Sequence, residues 1–376
     1  MRIVFTGGGT GGHFYPIIAV AEKVRSIAAE QKLLPPKMYY FGPEPFDARA
    51  LFELDIEHRY SSAGKMRTYP SIWNYIDMAK TLWGAFLALI QLFVIYPDVV
   101  FSKGGYASFP TVFAARLLRI PVVVHESDAV MGRANAWAAK FADSIAISYP
   151  GVAKEFGDER VALTGNPIRE DLFRPEKEGA FEYLNLEPSV PVILILGGSQ
   201  GAQAINDTVI DALAELLPRF QVIHQTGEKN LESVERRASV LLADPQQKRR
   251  YHTFGLLNTL ALRMAYGAAD LVISRAGSGG IFETAAAHKP SIIIPIPRDI
   301  SRDQSTNAFS YARSGAAIVI EQNNLTPHLL SSEIIRLFDN PDEMEKMGKA
   351  AEGFARSDAA NVIAKKLVNI GIEHEN

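Results

Sequence analysis

Short runs of apolar, often β-branched residues alternate along the chain with longer stretches whose apolar positions recur every three or four residues. The first pattern predicts strands and the second helices. Strands are expected at 3–6, 38–41, 98–102, 122–125, 144–148 and 162–164, with helical stretches between most of them. After Gly165-Asn166-Pro167 the alternation restarts, with strands expected at 192–196, 221–224, 251–254, 271–274, 291–295 and 317–320. Strand–helix–strand order of this kind builds parallel sheets with helices on both faces. Two such series predict an α/β chain of two Rossmann-like domains, one over 1–165 and one over 166–349. The linker is expected near 165–175, where Gly, Asn and two prolines cluster. A last helical stretch, about 350–376, is expected to cross back onto the first domain.

Composition narrows the classes. The chain has 376 residues, 47% of them apolar, so each half can fill its own core. A net charge of −3 argues against a nucleic-acid binder. With no cysteine, disulfides and thiolate chemistry are excluded. The first residues enter a strand directly, so no signal peptide is expected. The most lipid-like stretch, 81–96, reads TLWGAFLALIQLFVIY. It contains Gln91 and falls short of the ~20 residues of a spanning helix. Taken by itself it reads as a buried core helix. Trp73, Trp83, Lys65 and Lys80 nearby suit instead a helix whose apolar face touches a membrane surface.

Candidate chemistry sits in four glycine-rich turns, each expected at the end of a strand. GGGTGGH at 7–13 contains Gly7-x-Gly9-x-x-Gly12 and opens a helix. Glycines let backbone N–H groups approach an anion, and a helix N-terminus adds partial positive charge. GGSQGA at 197–202 repeats the device, with Ser199 and Gln200 as extra donors. SRAGSGGIFE at 274–283 places Glu283 where a carboxylate can accept from ribose hydroxyls, or alternatively act as a capping-type glutamate. FSKGGYASFP at 101–110 surrounds Gly104 and Gly105 with Lys103, Tyr106 and Ser108. Turns at strand carboxyl ends put the ligand at that edge of both sheets, with a cleft between the domains as its natural place.

A dinucleotide reader needs an acidic residue at the end of its second strand. Here that strand ends Phe41-Gly42, and the first carboxylate, Glu44, lies in a proline loop. No GxxxxGK[ST] is present, so the chain is not a P-loop NTPase.

GGGTGGH, GGY, HES, GNPIRED, GGSQGA, SRAGSGGIFE and DQSTNA occur in an order that resembles the lipid II-forming peptidoglycan glycosyltransferases, over about residues 1–330. The resemblance implies the type B glycosyltransferase architecture, two Rossmann-like domains facing across a cleft, with no required metal or cofactor. It implies UDP-N-acetylglucosamine as donor and undecaprenyl-linked N-acetylmuramyl pentapeptide, lipid I, as acceptor. The reaction would be an inverting transfer to the acceptor C4 hydroxyl, on the cytoplasmic face of the membrane. The resemblance raises the membrane-surface reading of 81–96 above the core reading.

Roles carry over residue by residue. His13 is the candidate base, with an alternative as a histidine that only orders its loop. Donor contacts are expected from Thr10, Gly11, Gly12, Asp128, Arg169, Ser199, Gln200, Thr259, Ser278, Gly279, Gly280, Glu283, Gln304 and Asn307. Acceptor contacts are expected from Lys103, Gly104, Gly105, Tyr106, His125 and Glu126. Two departures stand out. Ser127-Asp128 replaces the family's Gln-Asn, and TFGLLNTLALRM replaces a phenylalanine followed by a short acidic turn. Readings kept beside the leading one are another glycolipid glycosyltransferase, a UDP-N-acetylglucosamine 2-epimerase, and a non-catalytic sugar-nucleotide-binding subunit.

Overall fold

The computed structural model describes residues 1–64, 71–157, 159–198 and 201–375. The chain divides into two units, Met1–Arg169 with Arg356–Asn376, and Glu170–Ala355.

In the first unit seven strands form a sheet: β1 (Arg2–Thr6), β2 (Lys37–Gly42), β3 (Ile56–Tyr60), β4 (Val99–Ser102), β5 (Val122–Glu126), β6 (Ser144–Ile147) and β7 (Val161–Leu163). Their order is β3-β2-β1-β4-β5-β6-β7. The pairings are parallel, with Thr6 of β1 level with Ser102 of β4. Alternate side chains leave opposite faces of a strand. Ile3, Phe5, Val99 and Phe101 enter one core with the helices Gly11–Glu30 and Ala359–Glu375. Val4 and Val100 enter another with the helices Trp73–Ile95 and Phe109–Leu117. Both faces are covered, which is why these strands read as unbroken apolar runs rather than alternating ones.

β3 escaped the sequence pattern. Of its residues IEHRY only Ile56 is buried, as befits a strand at the sheet edge that pairs with β2 alone. The last stretch is not one helix either. One helix ends at Phe354 and the next begins at Ala359, and the boundary between the units falls between them.

The second unit repeats the plan with β8 (Val192–Leu196), β9 (Gln221–Gln225), β10 (Tyr251–Phe254), β11 (Leu271–Arg275), β12 (Ser291–Ile294) and β13 (Ala317–Val319). The order is β10-β9-β8-β11-β12-β13, again parallel. β8 is buried throughout. The helix Gln203–Leu216 sets Ile205, Val209, Ala212, Leu213 and Leu216 on one face against Ile193 and Ile195. That spacing is one stripe of an α-helix.

The stretch 81–96 falls on a helix that is only in part a core helix. The helix runs Trp73–Ile95 and buries only a narrow stripe: Gly84, Ala85, Ala88, Leu92 and Ile95. Gly84 allows this seating, because a Cβ there would run into the Ser62 carbonyl oxygen. The outer face leaves Trp73, Tyr75, Ile76, Met78, Leu82, Trp83, Phe86, Ile90, Phe93 and Val94 exposed. By length and composition this helix could also cross a membrane. Its inner stripe is packed into the first unit's core.

Candidate active site

Ligands of open parallel sheets collect beyond the strand carboxyl ends, where strand order reverses. In the first unit that point lies between β1 and β4, and both strands run into glycine turns, at 7–12 and 103–105. Thr10 is the extended residue before the helix Gly11–Glu30. Its Oγ1 lies 3.0 Å from His13 Nδ1. The imidazole sits between two glycines: a Cβ on Gly8 would lie 3.5 Å from the ring, and one on Gly105 3.5 Å from Nε2. Gly105, at φ +79°, would also bring a Cβ 3.2 Å from Gly8 Cα, so the two turns reach this approach because both are glycine. Gly12 faces open space, and Tyr106 is partly exposed with its hydroxyl beside Gly9. The Arg169 guanidinium lies 4.1 Å over the Tyr15 ring, which places it with this turn.

His13 is half-buried. Lost hydration, then the Lys103 ammonium, lower its pKa to about 4, while Asp128 pulls it up. At neutral pH the ring is therefore uncharged. Lys103 is 1% exposed, and its Nζ has no hydrogen-bond partner among the described residues. Burial lowers its pKa to about 8, against the pull of Asp128 and Glu126. A buried ammonium without a hydrogen bond is costly, and it is held here by nearby carboxylates.

His125 and Glu126 are both buried and held by hydrogen bonds within the first unit. His125 is fully buried, its Nε2–H donates to the Gly165 carbonyl at 2.9 Å, and burial drives its pKa well below the usual value. Glu126 accepts from Asp128 N at 3.1 Å, Gly132 N at 2.8 Å and Asn135 Nδ2 at 2.9 Å. It organises the 128–132 loop, while burial and Asp128 raise its pKa. Asn135, missed in the sequence, also donates to the His125 carbonyl at 3.1 Å. Gly104, at φ +81°, lies so close that a Cβ would fall 2.6 Å from Asn135 Nδ2.

In the second unit the strand order reverses between β8 and β11, and again both end in glycine turns. Ser199 and Gln200 of the first of these lie outside the described residues. Gly198 and Gly201 flank them at φ +79° and +76°. After β11, Ser278 starts the helix Ser278–Ala286, with Gly279 and Gly280 half-buried. No acidic residue lies in that helix's first turn, and Glu283 comes later in the helix. It stands half-buried in the second turn. Asn307, on the helix Arg302–Ala312, is buried and donates through Nδ2 to the Ala276 carbonyl at 3.2 Å, bracing the turn before Ser278. Gln304 on the same helix accepts from Ile296 N at 3.2 Å, which orients its carboxamide. Thr259 opens the helix Thr259–Ala268, whose N-cap Asn258 accepts from Ala261 N at 2.9 Å. The TFGLLNTLALRM departure is thus the end of β10, a turn, and this helix.

The structure therefore gathers Thr10, His13, Lys103, Gly105, Tyr106, Asp128 and Arg169 around the first switch point. In the second unit Asn307 is tied to the Ala276 carbonyl just before Ser278, and Gln304 to the Ile296 N–H after β12. A neutral imidazole beside a buried ammonium can take a proton near an anion. Glycine turns at helix starts can receive phosphate.

Comparison with known proteins follows the same division. The glycosyltransferase family 28 N-terminal domain matches residues 3–147, and the family 28 C-terminal domain matches residues 192–363. A Clostridium novyi (strain NT) protein is 35% identical over 372 residues, covering 98% of this chain and 97% of its own. A Treponema pallidum (strain Nichols) protein is 36% identical, covering 97% and 94%. Both carry the name UDP-N-acetylglucosamine–N-acetylmuramyl-(pentapeptide) pyrophosphoryl-undecaprenol N-acetylglucosamine transferase. The crystal structure of Acinetobacter baumannii MurG superposes with a TM-score of 0.72 at 25% identity, covering 98% of this chain and 99% of that one. A UDP-GlcNAc 2-epimerase from Neisseria meningitidis reaches a TM-score of 0.69 at 14% identity over 98% of this chain and 100% of that one, a likeness of fold alone.

Proposed function

The chain belongs to glycosyltransferase family 28, and on that ground we propose that it carries N-acetylglucosamine from UDP-N-acetylglucosamine to the C4 hydroxyl of lipid I, forming lipid II with inversion at the sugar carbon. The observation that carries this reading is the likeness, at 35% identity and across 98% of the chain, to a transferase of that name. In the reaction the C4 oxygen bonds to the sugar C1, the bond from C1 to the diphosphate oxygen breaks, and UDP leaves. The hydroxyl proton goes to His13 Nε2. That tautomer requires Nδ1–H to donate to Thr10 Oγ1, a pairing their 3.0 Å separation supports.

The first unit is the acceptor side. Lys103, with the backbone of Gly104 and Gly105 and the Tyr106 hydroxyl, receives the lipid diphosphate. Thr10, Gly11 and Gly12 meet the transferring centre, Asp128 the sugar side, and Arg169 the donor diphosphate. The second unit is the donor side. Ser199 and Gln200 hold the diphosphate, and Glu283 accepts from the ribose hydroxyls. Ser278, Gly279 and Gly280 line the path from sugar to uridine, Thr259 lies toward the base, and Gln304 binds the sugar with Asn307 bracing the turn behind it.

A lipid-linked acceptor gives the exposed face of the Trp73–Ile95 helix a use. Contiguous apolar surface of this kind marks an interaction site, and two tryptophans among aliphatic residues suit the interface of a membrane. The enzyme rests on the cytoplasmic face of the membrane by this helix. The test is incubation of purified protein with labelled UDP-N-acetylglucosamine and a soluble lipid I analogue. Labelled analogue is the expected product. Free N-acetylmannosamine would reveal an epimerase, and binding without product a non-catalytic subunit.

A further inference from the structure

The carboxyl end of β9 joins two pieces of chain that the motifs treat separately. Gln225 is 6% exposed. Its carbonyl accepts from Gly197 N at 3.1 Å, the first residue of the glycine turn after β8. Its side-chain Oε1 accepts from Leu257 N at 3.0 Å, in the turn between β10 and the helix of Thr259. The next residue continues the pattern. Thr226 N donates to the Phe254 carbonyl at 2.9 Å, and the Thr226 carbonyl accepts from Asn206 Nδ2 at 3.0 Å and Asn230 Nδ2 at 3.1 Å. Gly201 closes onto the same point: a Cβ there would fall 2.7 Å from the Thr226 carbonyl and run into Asn230 Nδ2.

His224 locks this end of the strand from below. It is fully buried, with Nε2 3.1 Å from Asn206 Oδ1 and Nδ1 2.8 Å from Tyr251 Oη. Asn206 Oδ1 can only accept, so His224 carries its proton on Nε2 and takes the Tyr251 hydroxyl hydrogen at Nδ1. Burial lowers its pKa to about 3, consistent with a permanently neutral ring. Each buried polar group named here has its partner, the condition under which such a network rigidifies its surroundings.

We propose that Gln225 is a positioning residue for the donor: its main chain fixes the diphosphate-side turn, its side chain fixes the base-side turn, and the spacing it sets between them selects uridine over other nucleosides. This rests on the reading of the second unit as the donor side. Replacing Gln225 by Met keeps the volume and the main-chain bond but removes the acceptor of Leu257 N.

The readout is discrimination between UDP and CDP as inhibitors of the transferase, a ratio independent of how much protein is folded. Gln225→Met is expected to lower that ratio about tenfold and to raise the donor KM about as much, with kcat within about threefold. Gln225→Glu retains an oxygen for Leu257 N and is expected to keep the ratio within about threefold. Glu283→Ala serves as the control. If Glu283→Ala weakens UDP but Gln225→Met loses only stability or kcat with its ratio unchanged, the inference falls by itself. If Glu283→Ala also leaves UDP inhibition intact, the donor-side reading falls and takes the inference with it.

Discussion

The two units place glycine turns at equivalent switch points but support them with different chemistry. Around the first, the neighbours are ionisable: His13, Lys103, Glu126 and Asp128 act on one another through charge. Behind the second, the supports are mainly neutral amides and a neutral histidine: Gln225, Asn206, Asn230, Asn307 and His224. Charge enters there through Glu283 and through Arg275, which donates to the Ile294 carbonyl at 3.3 Å and whose pKa burial lowers to about 10. A group that must move a proton needs a protonation equilibrium its neighbours can adjust. A pocket that binds a nucleotide and releases a diphosphate gains more from fixed dipoles, whose orientation is set before the reaction. The same scaffold thus carries a tunable half and a rigid half.

Loss of the base is the most severe test of the tunable half. His13→Ala is expected to lower kcat by about 10²- to 10⁴-fold, the usual worth of a positioned general base, with the donor KM nearly unchanged. Steady-state kinetics with the soluble acceptor measures both. Equal losses in kcat and donor affinity would reduce His13 to ordering its loop. The rigid half should respond in the opposite sense. Glu283→Ala is expected to raise the donor KM by about ten- to a hundredfold, the cost of a lost charged hydrogen bond, and to leave kcat within a few-fold. An unchanged donor KM would remove Glu283 from the ribose.

The pH profile separates the halves further. For kcat/KM toward the acceptor, His13 must be neutral, so activity is lost as pH falls through about 4. Lys103 must be charged to hold a diphosphate, so activity is lost again as pH rises through about 8. Lys103→Met should abolish the basic limb and lower acceptor affinity about tenfold. It should also move the acidic limb upward, because His13 no longer faces an ammonium. That limb stays below the ordinary 6.5, since lost hydration is the larger cause of the depression. A basic limb that survives the substitution would assign it to another group.

The contrast also explains what the sequence disclosed. Strands buried on both faces announce themselves, and the expected 192–196 agrees with the observed β8. β3 did not, because an edge strand with one buried residue has no apolar run to recognise. The glycine turns were legible because close backbone approach and positive φ restrict the residue type, as at Gly105 and Gly201. Side-chain roles were less so. The motif that holds His125 and Glu126 gave no sign of their burial or of the main-chain hydrogen bonds they make. Gln225 carried only the faint sign of a polar residue after an apolar strand, since its two partners lie 28 and 32 positions away. The Trp73–Ile95 helix was legible only in part for a related reason: composition shows that a helix is apolar, and only packing shows which face is covered.

The finest test concerns Asp128, the carboxylate whose charge acts on both His13 and Lys103. Asp128 raises the pKa of both His13 and Lys103, so it opposes the ammonium's effect on the imidazole and helps keep the ammonium charged. Asp128→Asn removes both influences together. The acidic limb should move below about 4 and the basic limb below about 8, sliding the whole profile toward acid without changing its height. Near pH 7 His13 is already neutral, so kcat should hardly change. Near pH 8 a fall of about half a unit in Lys103 would halve its charged fraction and raise the acceptor KM about twofold. Side chains that sense one another only through the solvent would give no coordinated slide. A profile that stays still for Asp128→Asn while Lys103→Met shifts it would show that the carboxylate faces the donor sugar rather than this charge cluster.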